Sequence, residues 1–484
     1  MRLTDENRRW WTLGAMCFAL FMVMLDNTVV NVALPSIQRD LQTSLAGLEW
    51  TVNAYTLAFG VLLVTGGRLG DIFGRRRVFL IGVVLFAASS LFIGFSQSSA
   101  WLISGRAIQG VGAALMMPAT LSIITNAFPP HERGKAIGTW AGVSAVALAI
   151  GPVLGGVLIE HVSWQSIFFI NVPVAAGAVA VTLFATHESR DESVLPKVDV
   201  AGIVAITVGL TALTLALVEA NAWGWGSLRI ISLFALAAGG LAAFALVERR
   251  VRVPMVNFAF FASRTFLGAN IVAFIVSFAM LAMFFFLTLY MQNVLRFSPL
   301  EAGVRFLPTT LMIIVVAPVA GRLTDRIGPR PLMTAGLALV AASLFWQSFL
   351  TAGTGFGFLL PGFVLMGIGI ALVMSPMSTA AMNAVDQAKA GVASGILSMS
   401  RMVGGTLGIA VLGAFIGHAR TQAAFVDALG EGLLIGAFVA AAGAAVSWVL
   451  ISPELAGGAD RRPPPGGELA APAPAEPARE PIGA

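Results

Sequence analysis

Charged residues are scarce in this sequence, and their scarcity decides its class. Only 11% of the 484 residues are Asp, Glu, Lys or Arg, whereas 57% are hydrophobic. A soluble domain carries about 25% charged residues, so a water-soluble enzyme is excluded. The apolar runs are long and unbroken rather than alternating, which excludes a β-barrel. The composition therefore predicts an all-α polytopic membrane protein.

Cysteine and histidine are also nearly absent. The single Cys17 excludes a disulfide framework and a thiolate metal cluster. The four histidines fall in predicted loops, away from any cluster. The sequence has no nucleotide-binding loop and no nucleophile constellation. We therefore expect no catalytic residue, no metal, no cofactor, no ATP and no nucleic-acid partner, and a protein that is not an enzyme.

Fourteen apolar segments are long enough to cross a bilayer, which takes about 20 residues each. The segments lie near 12–34, 48–67, 78–96, 101–124, 136–158, 165–186, 200–218, 228–247, 266–290, 304–321, 332–350, 357–380, 391–416 and 432–451. With the N-terminus inside, 22 of the 29 Lys and Arg residues fall in inner segments and 5 in outer ones. This asymmetry predicts that both termini are cytoplasmic.

An internal repeat suggests a duplicated bundle. Residues 67–76 (GRLGDIFGRR) return as 321–330 (GRLTDRIGPR), each copy in a short inner loop after a predicted span. Internal repeats are typical of secondary transporters, whose substrate site lies at the middle of the membrane. We expect a six-helix bundle at 1–198, two inserted helices at 199–250, and a second bundle at 251–452. The Pro- and Ala-rich segment 453–484 is expected to be a disordered cytoplasmic tail.

The repeated loop is predicted to be a cytoplasmic gate. Its glycines allow close helix approach and a tight turn, and its acid can accept hydrogen bonds from arginines in one conformation only. The alternative is that these charges only fix the topology and bind lipid headgroups. The predicted gate residues are Gly67, Arg68, Asp71, Gly74, Arg75, Arg76, Asp325 and Arg326.

Four segments together resemble a known family. The repeated loop resembles the signature loop of the major facilitator superfamily. Residues 25–35 (LDNTVVNVALP), 106–114 (RAIQGVGAA) and 151–156 (GPVLGG) resemble motifs of its fourteen-spanner drug:proton antiporters. The resemblance implies the major-facilitator fold, two six-helix bundles plus two extra helices, and about 14 transmembrane helices. It also implies export rather than import, because the third of these segments resembles a motif associated with exporters.

Asp26 is the one acidic residue that the sequence places well inside an apolar run. A carboxylate there costs about 2.5–3.5 kcal/mol on insertion scales and is functional by default. Burial favours its neutral form and a nearby cation its charged form, so Asp26 is predicted to bind and release protons. Arg106 is the predicted counter-charge. The alternatives are a static ion pair for Asp26 and bonds to backbone carbonyls for Arg106.

Two further groups of residues have predicted roles. Gly151, Pro152, Gly155 and Gly156 on the motif helix combine a kink with small packing surfaces, or are ordinary packing residues. Aromatic faces suit lipophilic cations, but aromatic residues also face lipid. The candidate cavity residues are Asn31, Trp50, Asn53, Tyr55, Gln109, Phe284, Phe285, Tyr290 and Arg401.

The sequence thus predicts a proton-coupled multidrug antiporter in the bacterial inner membrane. Its expected substrates are hydrophobic, monovalent cationic or amphipathic compounds, because the resemblance implies that exporters of divalent cations carry an additional carboxylate in the second half, and none is evident there. Its energy source would be the proton gradient. The alternatives are a dedicated exporter of one metabolite or antibiotic, an importer, and a membrane scaffold or sensor without transport.

Overall fold

The computed structural model describes residues 5–190, 199–251, 254, 256, 258–385, 390–419 and 421–452. These residues form α-helices and no β-strand, so the all-α prediction is confirmed. The predicted tail at 453–484 lies outside the described residues.

The helices follow the predicted apolar segments but extend further at most ends. In the first half of the chain they are α1 (Asp5–Asp40), α2 (Leu45–Phe73), α3 (Arg75–Gly94), α4 (Ser99–Ala127), α5 (Pro130–His161), α6 (Ser166–Phe169), α7 (Asn171–Ala185), α8 (Val200–Trp223) and α9 (Leu228–Glu248). A short 3-10 helix (Phe258–Ala262) then leads into α10 (Arg264–Leu289), which continues as a π-helical turn, Tyr290–Val294. The remaining helices are α11 (Pro299–Arg305), α12 (Leu307–Ile327), α13 (Pro329–Gln347), α14 (Phe356–Asn383), α15 (Ala390–Ile416) and α16 (Gln422–Leu450).

Twelve membrane-spanning candidates occur among the described residues, by length and apolar composition. The other two predicted spans are helical as well. The segment 136–158 lies in α5, where Ile150–His161 forms a shorter apolar stretch, and the segment 332–350 lies mostly in α13. The chain therefore forms a multi-pass helical bundle, and the number fourteen stays a prediction.

The internal repeat has a counterpart in the backbone. Gly74, between α2 and α3, has a φ of 108°, and Gly328, at the same place between α12 and α13, has a φ of 80°. Both residues occupy a region of φ that only glycine adopts without strain. The tight turn expected at each copy of the loop is therefore present in both halves.

Paired glycines also bring corresponding helices together. A Cβ at Gly112 of α4 would lie 2.7 Å from the Phe86 nitrogen of α3, and a Cβ at Gly369 of α14 would lie 2.7 Å from the Gly336 oxygen of α13. Such backbone-to-backbone contact is how helices associate in lipid, where no hydrophobic force drives them together.

The two halves of the chain meet at the end of the bundle that carries Asp40, Glu160 and Leu300, which we call the outer end after its predicted orientation. From there α2 and α15 stay in contact through the middle of the bundle, where the Thr56 and Thr406 hydroxyls are 2.7 Å apart. Helix α5 of the first half packs against α11 of the second, and α2 packs against α15. The inserted helices α8 and α9 pack against each other, and α8 also lies against α2 and α15. We call the contacts that join the two halves at the outer end, those of α5 with α11 and of α2 with α15, the outer seam.

We expect Gly112→Val to destabilise the first half. The added side chain would enter the α3 backbone, and overpacking of this kind costs about 1–3 kcal/mol. The measurement is the thermal unfolding temperature of the purified protein in detergent. Gly239→Val on α9 is the matched control, since a Cβ there meets nothing within 4 Å. Equal unfolding temperatures for the two variants would contradict this account of the α3–α4 contact.

Candidate functional site

A buried ion pair lies at the centre of the first half. Asp26 of α1 and Arg106 of α4 are 0% and 1% exposed, and Arg106 Nη1 donates to Asp26 Oδ2 at 2.5 Å. Arg106 Nε also donates to the Thr51 carbonyl oxygen of α2, at 3.0 Å. The structure thus brings together the two residues that the sequence singled out as charges inside the membrane.

Three polar side chains complete the coordination of this pair. Gln109 accepts from Arg106 Nη1 at 2.6 Å and donates to Asp26 Oδ1 at 3.0 Å. Asn171 of α7 donates to the same Asp26 oxygen at 3.3 Å. Ser90 of α3 accepts from both amides, at 2.8 Å from Gln109 and 3.3 Å from Asn171. The network therefore joins α1, α2, α3, α4 and α7 by hydrogen bonds, as a buried charge requires.

Aromatic rings cover the guanidinium. Arg106 Cζ lies 4.2 Å from the centre of the Tyr55 ring and 5.9 Å from that of Phe168. A cation over an aromatic face is stabilised by the ring quadrupole, most strongly where water is excluded. Tyr55 and Gln109, predicted as cavity residues, are thus part of the charge network in this structure.

The sequence did not identify Ser90, Asn171 or Phe168. Each is an ordinary residue in an apolar helix, and its polar or aromatic group acquires a role only when α3, α6 and α7 pack around Asp26. Ser90 could have been identified from the sequence, because it is a polar residue in the middle of a predicted span.

The predicted motif helix α5 contacts both α1 and the second half. A Cβ at Gly151 would overlap Thr28 of α1, and one at Gly155 would lie 3.1 Å from Val29 Cβ. Gly156 faces the other way, where a Cβ would lie 2.5 Å from Leu300 Cα of α11. These glycines therefore place α5 between the helix of Asp26 and the outer seam.

Further contacts close the outer seam. A Cβ at Gly303 of α11 would overlap the Pro152 carbonyl oxygen. Gln292, in the π-helical turn, donates to the Val32 oxygen of α1 at 2.8 Å, and the backbone nitrogen of Leu300 donates to Glu160 at 3.3 Å. The two halves are therefore closely packed at this end.

The remaining predicted cavity residues are dispersed. Asn53 is fully buried, and its amide has no hydrogen-bond partner in the described part of the chain. Phe285 and Tyr290 are also fully buried, with Tyr290 Oη donating to the Thr351 oxygen at 2.6 Å, so neither lines an open cavity in this structure. The other four residues, Asn31, Trp50, Phe284 and Arg401, are half-buried. Asn31 donates to the Asn27 oxygen of its own helix, and Phe284 packs on Phe306. The Nε atom of Arg401 has no partner among the described residues.

The predicted gate residues differ between the two copies. In the first copy Arg75 donates to Asp71 at 2.8 and 3.0 Å, which joins the end of α2 to the start of α3. In the second copy Asp325 and Arg326 are exposed, and Pro329 occupies the position that corresponds to Arg75. A proline cannot donate, so the second copy lacks this ion pair.

A residue that the sequence did not single out supports the first copy. Glu188, after α7, accepts from the backbone nitrogens of Arg76 and Arg77, at 3.0 and 3.2 Å. A carboxylate at a helix N-terminus satisfies free N–H groups and interacts favourably with the helix dipole. These contacts lie within the first half.

Asp26 is not the only buried acid among the described residues, because Glu49 and Glu248 are buried as well. Glu49 of α2 is 2% exposed, although it lies only four residues inside its helix. It is buried by α15, since a Cβ at Gly413 would overlap its carboxyl group. Among the described acids of the second half, none is buried.

No group of three or more His, Cys, Asp or Glu side chains in the described ranges could hold a metal ion. The polar groups described above within the apolar helices are an ion pair, amides and carboxyl groups.

A duplicated bundle of long apolar helices around a buried charge network is the architecture of a membrane transporter. The family model described as Major Facilitator Superfamily matches residues 16–409. The chain belongs to the Major Facilitator Superfamily and is a transporter rather than an enzyme.

Relatives of this chain are named for resistance and export. It is 41% identical over 408 residues to the "Tetracenomycin C resistance and export protein" of Streptomyces glaucescens, covering 84% of this chain and 76% of that one. It is 37% identical over 406 residues to "Multidrug resistance protein Stp" of Mycobacterium tuberculosis (strain CDC 1551 / Oshkosh), covering 84% and 75%. These relatives support a membrane efflux transporter.

The fold matches solved transporters of low sequence identity. A bacterial homolog of the human lysosomal transporter Spinster, solved in an inward-facing and unoccupied conformation, aligns with a TM-score of 0.64 at 18% identity. The alignment covers 92% of this chain and 97% of that one. The likeness extends over nearly the whole bundle.

We expect Arg106→Gln to destabilise the protein, because it leaves Asp26 as an unmatched buried charge. Removing one partner of a buried pair costs about 3–5 kcal/mol. The double variant Asp26→Asn/Arg106→Gln removes both charges and should recover most of this loss. Thermal unfolding of Asp26→Asn, Arg106→Gln and the double variant in detergent measures the coupling, and simple additivity of the two substitutions would contradict it.

Proposed function

We propose that this protein exports hydrophobic, monovalent cationic or amphipathic compounds in exchange for protons, by alternating access. The observation that carries the proposal is the fully buried Asp26–Arg106 pair, which is the only described acid–arginine pair enclosed within the apolar helices. An ionisable pair inside a membrane bundle is costly and marks an ion pathway.

Protonation of Asp26 would change the network in a defined way. The neutral acid would lose its charge attraction for Arg106 Nη1, whereas Arg106 would keep its bonds to the Thr51 oxygen and to Gln109. Because an arginine does not exchange its proton near neutral pH, Asp26 is the member of this pair that would carry the proton. Proton binding would therefore weaken the attachment of α1 to α4, which the Gln109 amide alone would then maintain.

A continuous set of contacts links this event to the outer seam. Thr28 and Val29 follow Asp26 on α1 and lie against Gly151 and Gly155 of α5. The next glycine of α5, Gly156, faces α11 of the second half. A shift of α1 therefore reaches the contact between the halves through one intervening helix.

The proposed topology has fourteen spans and both termini in the cytoplasm of a bacterium. Two six-helix bundles, at 1–198 and 251–452, would rock about the substrate site, with the inserted pair at 199–250 beside them. Support comes from helical α5 and α13 at the two remaining predicted spans, from the Lys and Arg asymmetry, and from the resemblance to fourteen-spanner drug:proton antiporters.

The proton gradient suffices for this work. A gradient of about 150 mV supplies about 3.5 kcal/mol per elementary charge. At about 1.4 kcal/mol per tenfold concentration ratio, one proton sustains a substrate gradient of a few hundredfold.

A dedicated exporter of one antibiotic or metabolite is the second candidate. It is favoured by the Streptomyces glaucescens relative, whose name refers to a single compound, tetracenomycin C. Both candidates use the same coupling residues and differ in substrate range.

We expect Asp26→Asn to abolish coupled efflux, lowering the rate by at least about a hundredfold, because the amide cannot carry the exchanged proton. The measurement is substrate uptake by energised inside-out vesicles, with a proton uncoupler as a second condition. Asp427→Asn on α16 is the matched control, since Asp427 is exposed. Equal rates for wild type and Asp26→Asn would show that Asp26 is structural.

We expect the same vesicles to transport both ethidium and tetracenomycin C if the protein is a multidrug exporter. Transport of tetracenomycin C without ethidium would favour a dedicated exporter. A vesicle preparation that transports neither compound, nor any wider panel of hydrophobic compounds, would favour a scaffold or sensor.

A further inference from the structure

Glu49 is a buried acid to which the proposed mechanism assigns no role. Its side chain is 2% exposed, and its Oε2 atom has no hydrogen-bond partner among the residues that the structure describes. We propose that Glu49 is a second proton-binding site, occupied while the outer seam is closed.

Three helices from different parts of the chain enclose this carboxyl group. Glu49 belongs to α2 of the first half, and Gly413 of α15 in the second half leaves the space that its carboxyl fills. The inserted helix α8 is held at the same place, since Asn221 donates to the Ala414 oxygen at 2.5 Å. The carboxyl group is therefore buried by contact between the halves and not by its own bundle.

The one charged residue of α8 has the same sign as Glu49. It is Glu219, which is half-buried two residues before Asn221 on the helix that packs against α2 and α15. Neither arginine inside the apolar helices serves as a cation for Glu49. Arg106 of α4 is paired with Asp26, and Arg401 of α15 is twelve residues from Gly413, about 18 Å along the helix.

The other described charged groups at this end have partners elsewhere or are exposed. Glu160 of α5 accepts from the Leu300 nitrogen, Arg305 of α11 pairs with Glu301, and exposed positions are held by His161, Arg229, Arg296, Asp427 and Glu431. On α1, Arg39 donates to the Pro35 oxygen, and Asp40 accepts from Trp164. His418, after α15, is exposed, and the charged residues of α3 lie at its opposite end. In the described part of the chain, Glu49 thus has a like charge nearby and no cation of its own.

These surroundings require the neutral acid. Burying a carboxylate without a cation or a donor is far costlier than burying the protonated group, and a second carboxylate increases that cost. Glu49 therefore holds a proton when α2 and α15 are in contact. If the halves part at the outer end, the carboxyl meets water and can ionise.

Proton binding and closure of the outer seam are consequently coupled. Because coupling between two equilibria is reciprocal, a low pH on the outer side favours the closed seam and a high pH favours its opening. This site differs from Asp26, whose charged form is matched by Arg106. The coupling to closure rests on alternating access as proposed above, whereas proton binding to Glu49 does not.

Infrared spectroscopy of the purified wild-type protein tests proton binding directly. We expect the carboxyl C=O band of a protonated acid at neutral pH, lost in Glu49→Gln and retained in both Asp26→Asn and Glu431→Gln. Glu431 on α16 is exposed and serves as the matched control. A spectrum in which Glu49→Gln leaves this band unchanged would overturn the proposal. A carboxylate band of Glu49 that shifts on addition of Na⁺ would also overturn it, because the site would then bind a cation in place of a proton.

Labelling at the outer seam tests the coupling. A Leu300→Cys reporter in a Cys17→Ser background should react with a membrane-impermeant maleimide faster as the outer pH rises, by at most about tenfold per pH unit for one proton. The reaction rate is corrected for the intrinsic pH dependence of the reagent with a free thiol. In Glu49→Gln the corrected rate should be low at every pH, and in Glu431→Gln it should follow the wild type.

A second variant keeps this test decisive if Glu49→Gln fails to fold. In Glu219→Gln the like charge is gone, so Glu49 loses its proton more readily and the midpoint of the labelling curve moves to lower pH. An unchanged or higher midpoint would overturn the role of Glu219. Loss of transport in Asp26→Asn with an intact infrared band from Glu49 would separate this site from the proposed coupling residue.

Discussion

The burial of one ion pair inside an apolar bundle governs the first half of this protein. Asp26 and Arg106 are removed from water, so every oxygen and nitrogen of the pair needs a partner within the helices. Gln109, Asn171 and the Thr51 carbonyl supply those partners, and Ser90 holds the two amides. The packing of five helices is thus tied to the charge state of a single carboxyl group.

Glycines allow the close helix contacts that connect the helix of Asp26 to the second half. Gly151 and Gly155 let α1 and α5 approach closely, and Gly156 and Gly303 do the same for α5 and α11. Close-packed contacts have few intermediate arrangements. Under the proposed mechanism, a change at Asp26 would therefore be passed on as a change of packing between helices, not absorbed by long side chains.

Much of the architecture could be predicted from the sequence. The apolar runs gave the helices, the repeated loop gave the positive-φ glycines Gly74 and Gly328, and the two membrane charges Asp26 and Arg106 meet as expected. What could not be predicted depends on contacts between distant segments. Glu49 looks like an interfacial acid near a helix start, and only Gly413 and α8 bury it. Phe285 and Tyr290 look like cavity walls, yet neighbouring helices enclose them.

The two copies of the repeated loop are alike in backbone and unlike in charge. Arg75 ties α2 to α3 through Asp71, whereas Pro329 leaves Asp325 exposed, and Glu188 reinforces the first copy alone. Duplication has therefore produced halves that share a shape but not a stiffness at this end. In a rocking motion the first bundle would move as a rigid body at this end, whereas α12 and α13 of the second could move relative to each other. The pseudo-symmetry of the fold would then not extend to its flexibility.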